Sequence, residues 1–210
     1  MSLDYVLLIL NCYKYRDKAL LQKEQWLHKL PADIRYFHVI GDVDKCGSGN
    51  FLFDEVEKIL YVSTPDDYNS LPKKVISAFE AVNKTYDYKY ILKTDDDQRL
   101  INDNFFVSLK ATLSNSKCHY GGSPVAVNNH ISNYYTVHDC LPRNLLLKKT
   151  VYCNGRFYLL SKQAINNLLT KSTEIKEHYI EDHAVGYYLD DEFKINMMLF
   201  DSKHIFTDTT

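Results

Sequence analysis

Tyr88-Lys89-Tyr90-Ile91-Leu92-Lys93-Thr94-Asp95-Asp96-Asp97 is a largely apolar stretch of strand length that ends directly in three aspartates. Such a run reads as a strand covered on both faces, as in a parallel sheet between helices. Residues 88–94 are therefore predicted to form a buried strand with acidic residues at its carboxyl end, where ligands bind in open α/β sheets. Successive strand side chains alternate, so Asp95 and Asp97 point one way and Asp96 the other. Two carboxylates on one side suit a hard cation such as Mg2+ or Mn2+, which keeps open positions for substrate phosphates. The same triplet reads equally well as an acidic turn ahead of a helix over 104–113.

Towards the amino end, residues 5–10 are a second continuous apolar run. Ala19, Leu20, Trp26, Leu27 and Leu30 follow a helical period over 18–30, and Pro31 ends it. A strand over 34–40 stopped by Gly41 completes a β-α-β unit with a right-handed crossover. Residues 42–50 read as a loop, 59–62 as a short strand and 71–83 as a helix with Pro72 in its first turn. Towards the carboxyl end come a strand at 119–121, a polar and aromatic stretch over 125–143 and a strand over 157–160. Ser161 then caps a helix to about 169, a further helix begins at Glu181-Asp182, and a last strand covers 194–200. With no internal repeat or linker, the chain is expected to form one α/β domain over 1–210.

The bulk composition excludes several classes. Lys and Arg number 25 against 27 Asp and Glu, so there is no general attraction to polyanions, and Lys73-Lys74 and Lys148-Lys149 are pairs rather than a basic stripe. Nucleic acid is not an expected partner. The 5–10 run is too short for a membrane span or a signal-peptide core. Five cysteines, odd in number and without a C-x-x-C pair, fit reduced thiols in a cytosol-like compartment.

Other residues offer chemistry, each with a plainer alternative. Glu181-Asp182 precedes an apolar helical pattern, where a carboxylate caps the helix or stays ionised as a general base. His204 is a candidate transition-metal ligand or a surface residue. Arg16, Lys73 and Arg143 are able to neutralise phosphate.

Read in order, these segments resemble the inverting glycosyltransferases of the β-1,3-galactosyltransferase and Fringe type. Arg16 followed by Trp26 is similar to that family's R-x-x-x-R-x-T-W region, and 36–41 to its F-x-x-G strand. Asp67-Tyr68-Asn69-Ser70-Leu71-Pro72-Lys73 resembles D-x-Y-x-N-L-T-x-K with Asp67 and Lys73 as its ends, shortened by one residue. Lys93 to Asp97 resembles K-x-D-D-D, Tyr152-Cys153-Asn154-Gly155 through Ser161 resembles Y-x-x-G-x-x-Y-x-x-S, and Glu181-Asp182-His183-Ala184-Val185-Gly186 resembles E-D-V-x-x-G.

The resemblance implies a GT-A fold: a single Rossmann-like domain with a central mixed, mostly parallel sheet flanked by helices. The donor half would be about 1–100 and the acceptor half about 101–210. It further implies that Asp97, with Asp95, holds Mn2+ (or Mg2+) across the diphosphate of a UDP-sugar donor, with His204 as the remaining ligand. Cys12, Tyr13 and Arg16 would lie against the nucleobase and ribose with Asp67 nearby, Asp96 would bond the sugar or ribose, and Lys73 would sit by the phosphates. Asp182 would be the catalytic base in a single displacement onto a glycan or glycoconjugate hydroxyl, with Glu181, Asn154, Gly155 and His138 on the acceptor side. Arg156 and Phe157 stand where small residues are frequent, which leaves the acceptor open. The absence of a membrane anchor and luminal cysteines points to a cytoplasmic relative from a bacterium or a virus-infected host cell, or to an excised domain. The alternatives are a metal-dependent phosphohydrolase and a nucleotide-sugar-binding module without turnover.

Overall fold

In the computed structural model, which describes residues 2–209, β1 (Ser2–Leu10) runs through the middle of the sheet. Val6, Leu8 and Leu10 pack into one hydrophobic core, and Tyr5, Leu7 and Ile9 into a second on the opposite face. Burial on both sides is why this strand reads as unbroken apolar sequence.

From β1 the chain passes through α1 (Arg16–Gln25) to β2 (Ile34–Gly41), which pairs parallel with β1. The helix predicted over 18–30 is thus shorter, and a 3-10 turn at Leu27–Lys29 follows it. The predicted loop at 42–50 contains the one-turn helix α2 (Val43–Cys46), and β3 (Phe51–Asp54) then forms a hairpin with β4 (Ile59–Val62). α3 (Leu71–Thr85) leads back across the sheet to β5 (Asp87–Asp95), which pairs parallel with the other side of β1. Strand order therefore reverses at β1, and the ends of β1 and β5 frame the crevice where such sheets bind ligands.

The second half adds β6 (Gln98–Leu100), α4 (Phe105–Leu113), β7 (Tyr120–Val127), the small pair β8 (His130–Ile131) and β9 (Leu146–Leu147), and β10 (Thr150–Ser161). α5 (Lys162–Leu169), α6 (Ser172–Lys176), α7 (Glu181–Tyr188), β11 (Met198–Leu199) and β12 (Phe206–Asp208) complete it. The large sheet has the order β11-β7-β10-β5-β1-β2-β4-β3, with β10 antiparallel to both neighbours and β3 antiparallel to β4. The expected α/β architecture with a mixed sheet is what forms.

α3, α5 and α7 cover one face, and Trp26, Phe105, Phe106, Phe157 and Phe206 fill the other. The strand predicted over 194–200 does not form at that length. A 3-10 turn occupies Asp191–Lys194 and only Met198 and Leu199 pair, at a sheet edge where none of residues 194–200 is fully buried despite their apolar character. No helix among the described residues is long and apolar enough to cross a membrane.

Candidate active site

The loop after β1 is held by a residue one position away from the expected one. Asp66 accepts from the Tyr13 N–H (2.7 Å), the Gly41 N–H (2.9 Å) and the buried Lys74 Nζ (2.6 Å), which also donates to the Asn11 carbonyl at 2.8 Å. Gly41 is required here, since a Cβ would stand 2.5 Å from the Pro65 carbonyl oxygen. Asp67 and Lys73 are not in this arrangement. Asp67 is exposed and accepts from the Ser70 N–H as a cap, and Lys73 is partly exposed beside Lys74. The structural register is Asp66-x-Tyr68-x-Ser70-Leu71-Pro72-x-Lys74, which needs no shortening. Tyr13 donates its hydroxyl to Asp42, and Arg16 lies over the Tyr13 ring. Cys12, Tyr13 and Arg16 therefore do form one surface at the end of β1.

Next to it, β5 delivers the triplet. Asp96 faces Lys18 of α1 at 3.6 Å, while Asp95 turns inward to Lys93. Asp97 accepts from Gln98 Nε2 at 2.7 Å, and its carbonyl receives the Thr209 N–H at 2.7 Å, so the chain's last described residues lie against it. Behind the triplet, Gln22 donates to the carbonyls of Asp95 (3.1 Å) and Gln98 (2.8 Å), and Trp26 donates to the Gln98 carbonyl (3.2 Å). The turn is thus fixed by buried side chains of α1 and the residue that follows it.

The other side of the crevice comes from β10 and α7. Between Cys153 and Tyr158 the β10–β7 ladder is irregular, and Gly155 lies in that interval. Its N–H donates to Asp182 Oδ2 at 2.9 Å, and its carbonyl accepts from Lys93 Nζ at 2.9 Å. A Cβ on Gly155 would sit 3.1 Å from Lys93 Nζ, 3.3 Å from Asp95 Oδ2 and 3.6 Å from Asp182 Oδ2. The Asp95 and Asp182 carboxylates therefore face one small gap and lie at most about 7 Å apart. Glu181, 6% exposed, pairs with Lys93 at 3.1 Å and accepts the Tyr158 hydroxyl.

The electrostatics follow from crowding. Burial raises the Asp182 carboxyl to about 7, with Glu181 adding to the rise and Lys93 opposing it. Burial likewise lifts Asp95 and Asp96 to about 6 each, against Lys93 and Lys18 respectively. Burial works against the Lys93 charge too, but Asp95 and Glu181 outweigh it and its pKa stands above the ordinary lysine value. Clustered carboxylates with this little cationic compensation suit a divalent cation. Asp95 Oδ2 and Asp97 Oδ2 have no protein donor among the described residues. Also among the described residues, no three His, Cys, Asp or Glu side chains converge as a metal cage.

His204 is not brought to the triplet: its ring is 86% exposed and its carboxylate neighbour is Asp201, at 3.6 Å. Asp208 lies closer, accepting from the same Gln98 Nε2 at 2.9 Å and pairing with Arg156. Nothing in the sequence pattern marked Asp208, because three-residue strands carry no usable period. Arg156 also donates to the Phe206 carbonyl and Phe157 is buried, so these two unusual residues hold the carboxyl-terminal strand.

Of the residues expected on the acceptor side, His138 stacks on Tyr68 (3.9 Å between ring centroids) and runs parallel to Tyr134. Tyr68 is pushed up to about 12 by burial and then by the Asp182 charge. Tyr68 packs against the small cluster that includes Ile180, which precedes α7, and this places the aromatic group beside Asp182. Asn154 lines a separate open cavity of about 460 Å³ with Ser123, Phe200 and Ser202, and its buried Oδ1 has no partner. Asp201 lines that cavity, but Asp95, Asp96, Asp97 and Asp182 do not.

The family model described as galactosyltransferase matches residues 22–198. Over 143 residues the chain is 27% identical to the UDP-GalNAc:beta-1,3-N-acetylgalactosaminyltransferase 1 of Homo sapiens, covering 67% of this chain and 43% of that protein. The Sus scrofa protein of the same name is 29% identical over 126 residues, 59% of this chain and 38% of that one. The chain thus spans less than half the length of the curated relatives it matches. Among solved structures, a glycosyltransferase involved in the glycosylation of the major capsid of PBCV-1 aligns with a TM-score of 0.51. It covers 95% of this chain and 82% of that chain at 11% identity, a likeness of fold.

Proposed function

The chain belongs to the galactosyltransferase family, and on that premise we propose that it is a metal-dependent inverting glycosyltransferase. It moves a hexosyl unit from a UDP-sugar to a hydroxyl of a glycan or glycoconjugate. The observation that carries this reading is the gap above Gly155, bordered by Asp95 on one side and Asp182 on the other. The first belongs to the loop that would hold the donor diphosphate, and the second is a carboxylate poised near neutral pH. A UDP-linked donor is supported by the name of the Homo sapiens relative.

Asp97 and Asp95 would hold Mn2+ or Mg2+ through their free oxygens, with donor phosphate and water completing the shell. Once bound, the ion offsets charge building on the departing diphosphate. Cys12, Tyr13 and Arg16 face the nucleobase and ribose, with Asp66 in the supporting role expected of Asp67. Asp96 stands on the ribose or sugar side, held by Lys18. Asp182 is fixed by the N–H groups of Gly155 (2.9 Å) and His183 (2.8 Å). It accepts the proton of the attacking hydroxyl as that oxygen bonds to the anomeric carbon and the bond to diphosphate breaks. Attack from the side opposite the leaving group inverts the centre.

The test is a thermal-unfolding panel of UDP-GalNAc, UDP-galactose, UDP-glucose and UDP-N-acetylglucosamine, each with and without Mn2+, since a ligand of the native state raises its stability. At least one sugar nucleotide is expected to protect only when Mn2+ is present. Asp97→Ala should abolish that protection, whereas Asp182→Asn should keep it and lose transfer. Absence of protection by every nucleotide, or equal loss of binding in both variants, would overturn the reading.

A further inference from the structure

The geometry points to Lys93 as a positioning residue that sets the spacing between the donor loop and the base, an inference that rests on the glycosyltransferase reading above. Lys93 is 1% exposed. Its Nζ meets Asp95 Oδ1 at 2.7 Å, the Gly155 carbonyl at 2.9 Å and Glu181 Oε2 at 3.1 Å. Two of the ammonium protons are thus hydrogen-bonded, to Asp95 and to Gly155, and its charge is paired with Glu181 as well. These three partners come from three different segments: the end of β5, the irregular interval of β10, and the first residue of α7.

Each partner is itself tied onward. Gly155 passes the constraint to Asp182 through its N–H, and the second oxygen of Glu181 takes the Tyr158 hydroxyl. The Tyr158 ring centroid lies 5.4 Å from Lys93 Nζ. Asp95 and Asp182 are therefore linked through one cation and one glycine residue. A buried cation is tolerable only while its carboxylates stay in place, so the arrangement resists drift of α7 away from β5.

Two variants test the assignment. Lys93→Met keeps most of the side-chain volume and removes the charge. The double variant Lys93→Met/Glu181→Gln also removes one buried anion, so less charge is left uncompensated if the single variant folds poorly. UDP affinity in the presence of Mn2+ is expected to stay within about threefold of the parent. Release of UDP from the best-protecting UDP-sugar should fall about 100-fold, the scale of a misplacement near 1 Å. Amide exchange should accelerate at Gly155 and in the first turn of α7 while Leu7 in β1 stays protected. Unchanged turnover, or turnover and UDP affinity falling in proportion, overturns the assignment. The exchange measurement decides independently of chemistry: parent-like protection at Gly155 in both variants also overturns it. Failure of the parent to bind UDP with Mn2+ instead strikes the proposed function.

Discussion

At neutral pH the Asp182 carboxyl is divided between its two protonation states, the condition under which a group best accepts a proton and gives it up again. With burial lifting it to about 7, turnover should rise as pH increases through that value, read as the acidic limb of a kcat/KM profile. Stability should move the opposite way. The folded carboxyl holds its proton more tightly than the unfolded one, so its contribution is full below the ordinary carboxylate range and is lost as pH rises through about 7. Asp182→Asn should therefore melt higher than the parent at pH 8, with the difference closing at pH 4. An inactive variant no more stable than the parent at pH 8 would show that the carboxylate is not strained by its site.

A second matter at this scale is which of two adjacent residues does the work. Asp66-Asp67 and Lys73-Lys74 are doubled, and neither composition nor spacing says which member faces the crevice. The cap decides: Asp67 is committed to the Ser70 N–H, so Asp66 reaches back to Tyr13, Gly41 and Lys74. Asp67→Ala should cost about 1 kcal/mol of stability and leave UDP binding alone. Asp66→Ala strands the buried Lys74 and should cost about 3–5 kcal/mol, together with the nucleotide site. Urea unfolding and UDP titration of the pair separate the two. The acidic triplet and Asp182 were legible in the sequence because a buried strand and a helix start place them. The failure of His204 to join them was not, since its location depends on a tail whose pairing partner, β6, is three residues long.

Among the elements, α7 matters through its contact with β10. Gly186 lies where a Cβ would stand 2.2 Å from the Tyr152 Cβ and 2.7 Å from its Cα, so helix and strand touch at their backbones. Gly186→Ala must push them apart, which should cost about 1–3 kcal/mol of stability by overpacking. Because Asp182 is one turn earlier in α7, the same change should depress turnover beyond what the unfolded fraction explains. Comparing urea midpoints with turnover of the folded protein checks this. The strands of this region were harder to read than those of the first half. From Ser123 onward β7 alternates between partly buried and exposed residues, because its outer end faces solvent on one side, and Pro124 breaks the strand pattern there. Arg156 and Phe157, which stand where small residues are frequent in the resembled family, anchor β12.

Across the whole molecule, legibility follows burial. β1, β2, β4 and β5 are enclosed by helices or aromatic side chains on both faces, so each appears as apolar sequence and together they predict the open sheet and its crevice. The second half is built from edges, short pairs and a solvent-facing strand, which leave little periodic trace. The crevice draws on both halves: the loops after β1 and β5 are held from within the first hundred residues by Gln22, Trp26, Asp66 and Lys74, whereas Asp182 arrives on an element from the far part of the chain.

That division has a consequence for how the protein is made. The Lys93–Gly155 contact spans 62 residues of sequence, and Glu181 lies further still along the chain. Synthesis proceeds from the amino end, and early segments are free to associate before later ones emerge. A nascent chain can therefore assemble its nucleotide-facing loops while Lys93 still waits for two of its three partners. On the proposed mechanism, such an unfinished molecule would capture nucleotide without cleaving the glycosyl bond, because the proton acceptor has yet to leave the ribosome.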